Sequence, residues 1–423
     1  MSAPNKRVAV VGAGIIGACS AAYLQRDGYE VTIFDRNEPG SQTSYGNAGS
    51  LSPSAILPVS MPGMIRNVPA WLLDREGPLR LRWWYAPVAL PWLAKFLKFG
   101  RPDEVRRIAR ALSSLLGGVF DAYEPLVAEA GLKHLIRRSG CLYVYDSEAD
   151  ARKAQFAADV RRENGTVLNP IGADELHQME PSLSRRFQYA LHAPDNGSTL
   201  DPQALTNGLA QHVIDRGGQY VKLDVRQVIP HETDIEIVTE RGIHRFGHVV
   251  IAAGAWSNRL ARQLGDAVPL ETQRGYHATV VNPNVAPSRT VMWPARNLMT
   301  NPMAVGLRFA GTVEFAGLNA APDMGRAEAL LALGRQLYPD LQPVETRFWM
   351  GHRPCLPDSL PVIGRSPGDR RIIYAFGHQH VGMCSGAPTG RLVGDLVAGR
   401  DDRIELTPFR VDRFRRTSAS SQG

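Results

Sequence analysis

Cysteine is scarce: four in 423 residues, Cys19, Cys141, Cys355 and Cys384, far apart and none in a C-x-x-C pair. That spacing excludes a disulfide scaffold and a zinc–cysteine site, and it suits a reducing compartment. The chain also lacks any run of about 20 apolar residues, the length a membrane-spanning helix requires. Residues 8–24 could pass for the core of a leader peptide. Gly12, Gly14 and Gly17 interrupt them, however, and a second strand-like stretch follows, which is the pattern of a folding unit. No Ser/His/Asp arrangement stands out. His378-x-His380 sits on a Gly-flanked loop without carboxylate neighbours, so no metal is expected. The basic–aromatic pattern of a nucleic-acid module is absent too, and no nucleic-acid partner is expected.

Hydrophobic residues make up 44% and charged residues 21%, as in a folded globular chain. At about 150 residues per domain the length predicts two to three domains. The net charge of +7 admits an anionic surface, a nucleic acid or a phosphate-bearing cofactor as its cause. Part of it is local: residues 64–107 hold nine Lys/Arg against four Asp/Glu, and four of the seven tryptophans (Trp71, Trp83, Trp84, Trp92). Residues 87–99 read as an amphipathic helix flanked by Lys95 and Lys98, which suits the headgroup layer of an anionic bilayer; the alternative is an ordinary helix pair facing a core. A basic tail with Arg410, Arg413, Arg415 and Arg416 reads as a frayed end.

Arg7-Val8-Ala9-Val10-Val11 is a strand without polar alternation, as in a parallel sheet buried on both faces. It runs into Gly12-Ala13-Gly14-Ile15-Ile16-Gly17, then a helical pattern, then a second strand, Glu30-Val31-Thr32-Ile33-Phe34, ending at Asp35. Strand, glycine turn, helix and acid in this order form a dinucleotide-binding fingerprint. Gly12 permits the turn, Gly14 lets backbone approach a pyrophosphate, Gly17 permits close helix–strand packing, and Asp35 can accept from ribose hydroxyls. The fingerprint does not separate NAD from FAD.

Further patches follow. Gly40-Ser41-Gln42-Thr43-Ser44-Tyr45-Gly46-Asn47-Ala48-Gly49 is a loop rich in backbone donors. Residues 220–229 and 235–239 read as strands, and Val249-Val250-Ile251-Ala252-Ala253-Gly254 as a central strand whose end faces a ligand. Residues 351–364 are dense in Gly and Pro. A buried strand at 372–376 then leads into Gly377-His378-Gln379-His380-Val381-Gly382-Met383. A helix is predicted from near Pro388, with Gly386, Gly390 and Gly394 baring one stripe for a strand or a flat ligand.

These patches in this order resemble the D-amino-acid oxidase class of FAD-dependent oxidoreductases, and more closely its bacterial D-amino-acid dehydrogenase branch. The resemblance spans essentially the whole chain. It implies an α/β fold: a discontinuous Rossmann-type FAD domain (1–60, 195–265, 350–423) and a substrate domain with an antiparallel sheet (61–194, 266–349). It implies non-covalent FAD held by Gly12, Gly14, Gly17, Asp35 and Arg36. Ser44, Asn47, Ala48 and Gly49 would face the pyrophosphate and flavin, Val225 the adenine, and Gly254 the cofactor's flank. Backbone N–H groups of His380, Val381, Gly382 and Met383 would meet the flavin pyrimidine. Arg353 would clamp a substrate carboxylate, and Tyr276 would offer a pocket hydroxyl.

The implied activity is oxidative deamination of D-amino acids by hydride transfer from Cα to flavin N5, with electrons passed to an acceptor such as quinone. Other readings are a glycine/sarcosine-type oxidase and a D-hydroxyproline or secondary-amine dehydrogenase. An NAD enzyme and a non-catalytic flavin-binding protein are readings of another class. The expected location is cytoplasmic, or peripheral on the inner face of the cytoplasmic membrane through residues 64–107.

Overall fold

Strands Arg7–Val11 and Glu30–Phe34 lie side by side and parallel, each buried at every residue after its first. Apolar on both faces, they can only be interior to a covered sheet. The full order is Gln219–Val221, Glu30–Phe34, Arg7–Val11, His248–Ile251, Ile372–Phe376, Val362–Arg365. All neighbours are parallel except the last pair. The computed structural model describes residues 6–74, 77–400 and 403–415.

Helix Ile15–Arg26 covers one face and packs on helix Gly382–Ala398. Here the glycine stripe differs from its expected use. A Cβ on Gly386 would meet the Tyr123 hydroxyl and Ile15, on Gly390 the backbone of Cys19, and on Gly394 Asp27, so the stripe admits neighbouring helices and not a strand or ligand. That helix also begins six residues before Pro388, which lies inside it. Helices Pro102–Leu116 and Val119–Glu129 join the same core, and the Tyr123 hydroxyl donates to the Met383 carbonyl at 2.6 Å. They therefore pack with the parallel sheet, although the expected division put 61–194 with the substrate domain.

The second sheet is mostly antiparallel: Glu345–Cys355, Glu271–Val281, Gly306–Phe315, Leu298–Met303, Thr290–Trp293, Cys141–Tyr145, Tyr189–Ala193, Asn169–Gly172. Strand Glu345–Cys355 crosses the expected 349/350 limit. Helix Gly325–Leu337 covers one face, burying Tyr276, Val280, Phe309, Leu330 and Leu333 together. The opposite face meets the Gly-rich loop, where Gly46 lies against Trp349 so closely that a Cβ would fall inside the ring.

Two further expectations are corrected. Residues 220–229 are not one strand: Gln219–Val221 and Gln227–Pro230 are separate, and Val225 lies between them. The described part of the tail, up to Arg415, is anchored: Arg413 donates to both carboxylate oxygens of buried Asp358 and Arg415 pairs with buried Asp266. Arg416 lies outside the described residues.

Candidate active site

A long cleft opens at the carboxyl ends of the parallel strands, the usual ligand position in such sheets. It holds about 1140 Å³ of atom-free space, partly open to solvent. Its walls include Gly12, Gly14, Asp35, Arg36, Ser44, Asn47, Val225, Gly254, Gly382 and Met383 among the residues singled out from sequence.

Each glycine of the fingerprint answers to a contact. Gly12 has φ +114°, and a Cβ there would lie 2.4 Å from the Ala252 carbonyl oxygen. Gly17 stands outside the cleft; a Cβ there would lie 1.8 Å from the Gly12 carbonyl oxygen, so this residue locks helix against turn. Gly14 has only Ser44 Oγ near its missing Cβ, at 3.3 Å, leaving backbone open to a ligand. Ser44 Oγ accepts the Ile15 N–H at 3.0 Å and ties the second loop to the helix start. Asp35 accepts N–H bonds from Ala13 and Asn37 at 2.8 and 2.9 Å. Burial nevertheless raises its pKa above the ordinary carboxylate value, with those two bonds opposing. A carboxylate has about four acceptor sites, so two remain for ribose hydroxyls. Arg36 stacks on Trp256 at 4.6 Å, and both line this end with Leu223, Asp224 and Arg259. The residues fit a dinucleotide.

At the other end the cleft meets Gly377, His378, Gln379, Gly382 and Met383. Val381 is buried just before helix Gly382–Ala398 begins, and His380 is exposed. Desolvation and then the charge of Arg353 lower the His380 pKa, which places Arg353 in its electrostatic reach. Arg353 stands beside cleft residue Pro354 and pairs in register with Gln273. Its Nη1 donates to the Thr312 carbonyl at 2.9 Å and its Nη2 to that of Gly311 at 3.3 Å. No carboxylate pairs with it among the described residues.

Tyr276 is not brought to the cleft. Strand residues alternate faces, and Tyr276 points to the helix side, where its hydroxyl donates to Glu314 and accepts from the Asp323 N–H. Ala48 and Gly49 also stand back from the wall: the Ala48 carbonyl accepts from Asn301, and the Gly49 N–H donates to Asn47 Oδ1.

Sequence reasoning missed Arg308, whose Nη1 donates to the carbonyls of Tyr45 and Asn47 at 3.0 and 2.6 Å and so pins the loop to the sheet. It also missed His277 and Trp349, rings stacked at 5.2 Å against that loop. Burial, aided by the charge on Arg308, holds the His277 pKa down at about 3; burial alone holds His378 at about 3. Both are neutral when folded and protonate near 6.5 when unfolded. Their contribution to stability is complete above about pH 6.5 and is lost as the pH falls through about 3, at about 1.4 kcal/mol per pH unit for each histidine. Urea unfolding between pH 7 and pH 4 is expected to show this slope, smaller by one proton in His277→Gln; an equal slope in the variant would contradict the assignment.

Comparison with known proteins gives concordant results. The family described as DAO, FAD dependent oxidoreductase, matches residues 7–396. A D-amino-acid oxidase of Bradyrhizobium diazoefficiens is 39% identical over 418 residues, covering 97% of this chain and 99% of the relative. A D-amino acid dehydrogenase of Dechloromonas aromatica is 31% identical over 416 residues, covering 95% and 99%. The glycine oxidase structure from Geobacillus kaustophilus shares the fold, with a TM-score of 0.74 at 23% identity over 96% of this chain and 99% of that one.

Proposed function

Because the chain belongs to the DAO family of FAD-dependent oxidoreductases, we propose that it oxidises D-amino acids to 2-oxo acids and ammonia, passing electrons to a non-oxygen acceptor such as quinone. The observation that carries this is Arg353: a half-buried guanidinium beside the cleft whose protein partners are neutral carbonyls, so its charge is left for an anion. An arginine fork binds a carboxylate through two parallel bonds and stays charged at any working pH. Burial lowers its pKa, yet no acid competes for it among the described residues.

FAD, when bound, supplies the two-electron acceptor for the substrate Cα–H. Gly12, Gly14 and Asp35 would hold its ADP half without a covalent link, and backbone N–H groups of residues 380–383 would face its pyrimidine edge. The chain's own part is positioning: Arg353 fixes the carboxylate, and Arg308 fixes the loop that lines the cleft. The resulting imine is hydrolysed by water. The D configuration is supported by the names of both relatives. A second reading, oxygen as acceptor, is favoured by the 39% identical oxidase.

An amino-acid panel in both enantiomers, assayed with a dye acceptor under air and under nitrogen, decides both points. D-selective, dye-dependent turnover without peroxide is expected. Stoichiometric peroxide under air would favour the oxidase reading, and L-selectivity would overturn the assignment.

We also infer that residues 64–107 dock on an anionic membrane surface. Helix Ala86–Lys98 buries Ala89, Trp92 and Phe96 inward, yet its outward face carries exposed Val88, Leu90 and Leu97 beside Lys95 and Lys98. Trp83 is 85% and Trp84 47% exposed just before it. Residues 77–100 contain no acid. Apolar side chains beside lysines that have no acid partner among the described residues match the interface of an anionic bilayer. Arg75 and Glu76 of this segment lie outside the described residues, and no described helix is long and apolar enough to cross a membrane. Sedimentation with phosphatidylglycerol vesicles is expected, and phosphatidylcholine vesicles should bind far less. At about 1 kcal/mol per cation, Lys95→Glu with Lys98→Glu should weaken binding roughly 30-fold or more. Equal binding to both vesicle types would refute the electrostatic part.

A further inference from the structure

We propose that Gly275 and a β-bulge at Thr312 form the seat that orients Arg353, making Gly275 a positioning residue for the substrate carboxylate. This rests on the reading of Arg353 as the carboxylate clamp.

Strands Glu271–Val281 and Glu345–Cys355 pair in unbroken register, with Gln273 opposite Arg353 and Gly275 opposite Gly351. The Arg353 side chain leans across its neighbour strand and lies over Gly275. A Cβ on Gly275 would fall 2.2 Å from Arg353 Cζ, 2.3 Å from Nη2 and 2.7 Å from Nε, and those are its three nearest atoms. Any other residue at 275 would occupy the guanidinium's place.

The far side of the seat is an irregularity in the next strand. Pairing with Gly306–Phe315 runs from Val281↔Gly306 to Tyr276↔Gly311 and resumes at Arg274↔Glu314, leaving Thr312 and Val313 opposite the single residue Gly275. That is a bulge, a device that re-aims groups beside active sites. Thr312 adopts φ +51°, a left-handed conformation that is costly for a β-branched residue and persists only when its surroundings enforce it. Arg326 enforces it: its Nη2 donates to Thr312 Oγ1 and to the Gly77 carbonyl. The bulge turns the Gly311 and Thr312 carbonyls onto Arg353.

The seat has two chemical consequences. Two carbonyls fix the guanidinium plane from one side while leaving three of its five N–H donors for a carboxylate. Because carbonyls are neutral, the positive charge is not spent within the protein. A carboxylate in the same place would have oriented Arg353 equally well and abolished its use.

Gly275→Ala tests the seat cleanly. Its backbone φ is not in the left-handed region, and the three atoms nearest the added methyl all belong to the flexible end of Arg353, so a strand alanine is tolerated there. Measured on the FAD-loaded enzyme with the best D-amino acid of the panel, KM is expected to rise at least 30-fold. The value of kcat should change less than about 3-fold, and the flavin absorbance and melting temperature should hold. Preference for the amino acid over the corresponding amine without its carboxylate should narrow by a similar factor, which a merely structural role would not produce. Arg353→Ala is measured alongside. If it impairs turnover while Gly275→Ala leaves KM and that preference unchanged, the seat is overturned and the clamp stands. Silence of Arg353→Ala would remove the clamp and the seat together. Loss of FAD from Gly275→Ala would make the glycine a requirement of the fold and overturn the proposal.

Discussion

Arg353→Ala is expected to lower kcat/KM by a factor between about 30 and several thousand while FAD stays bound. Removing one member of a desolvated charge pair costs about 2–5 kcal/mol, and each 1.4 kcal/mol is about tenfold. The loss should fall on carboxylate-bearing substrates and vanish for simple amines, because the only substrate contact removed is with the carboxylate. Arg353→Lys should restore little: an ammonium cannot reach two carbonyls and a carboxylate fork from one plane. Retained FAD follows from Arg353 lying beyond the walls of the cleft. Wild-type kinetics in the alanine variant would mean that some other group holds the substrate.

Gly17→Ala is expected to lose FAD and to destabilise the chain by about 3 kcal/mol or more, the scale of severe backbone disruption. The methyl would lie 1.8 Å from the Gly12 carbonyl oxygen and 2.9 Å from its carbon, so relief requires moving the turn itself. Gly14→Ala provides the contrast. Its methyl would meet only Ser44 Oγ at 3.3 Å, so the chain should fold and melt nearly as before while FAD affinity drops. Thermal melts with flavin absorbance separate the two effects. Similar melting temperatures for both variants would contradict the assigned roles.

Where structure is decided locally, the sequence was legible. Strands Arg7–Val11 and Glu30–Phe34 occur as read, because doubly buried β-branched runs have few alternatives. The glycine turn and Asp35 come together because one βαβ unit contains them all. Features set by distant partners were read less well. The stripe Gly386, Gly390, Gly394 announces a close approach but not what approaches, and the answer, helix Ile15–Arg26, lies more than 300 residues earlier. Gly275 and Tyr276 are neighbours on opposite faces of a strand, and nothing local says which face looks at the site; the tyrosine drew attention and the glycine lies under Arg353. Arg308 carries no local signal, because its role exists only once strand Gly306–Phe315 crosses the 43–49 loop.

The order of strands in the parallel sheet bears on how the protein is made. Arg7–Val11 is flanked by Glu30–Phe34 and by His248–Ile251, which in turn needs Ile372–Phe376 beside it. At roughly 5–20 residues per second on the ribosome, the first strand waits on the order of tens of seconds for His248–Ile251 to emerge. During that interval the open edge of Arg7–Val11 is an apolar strand lacking its partner, the kind of surface that invites wrong pairing. The nascent chain therefore has reason to depend on a chaperone, and recombinant yield should respond to slower, cooler expression.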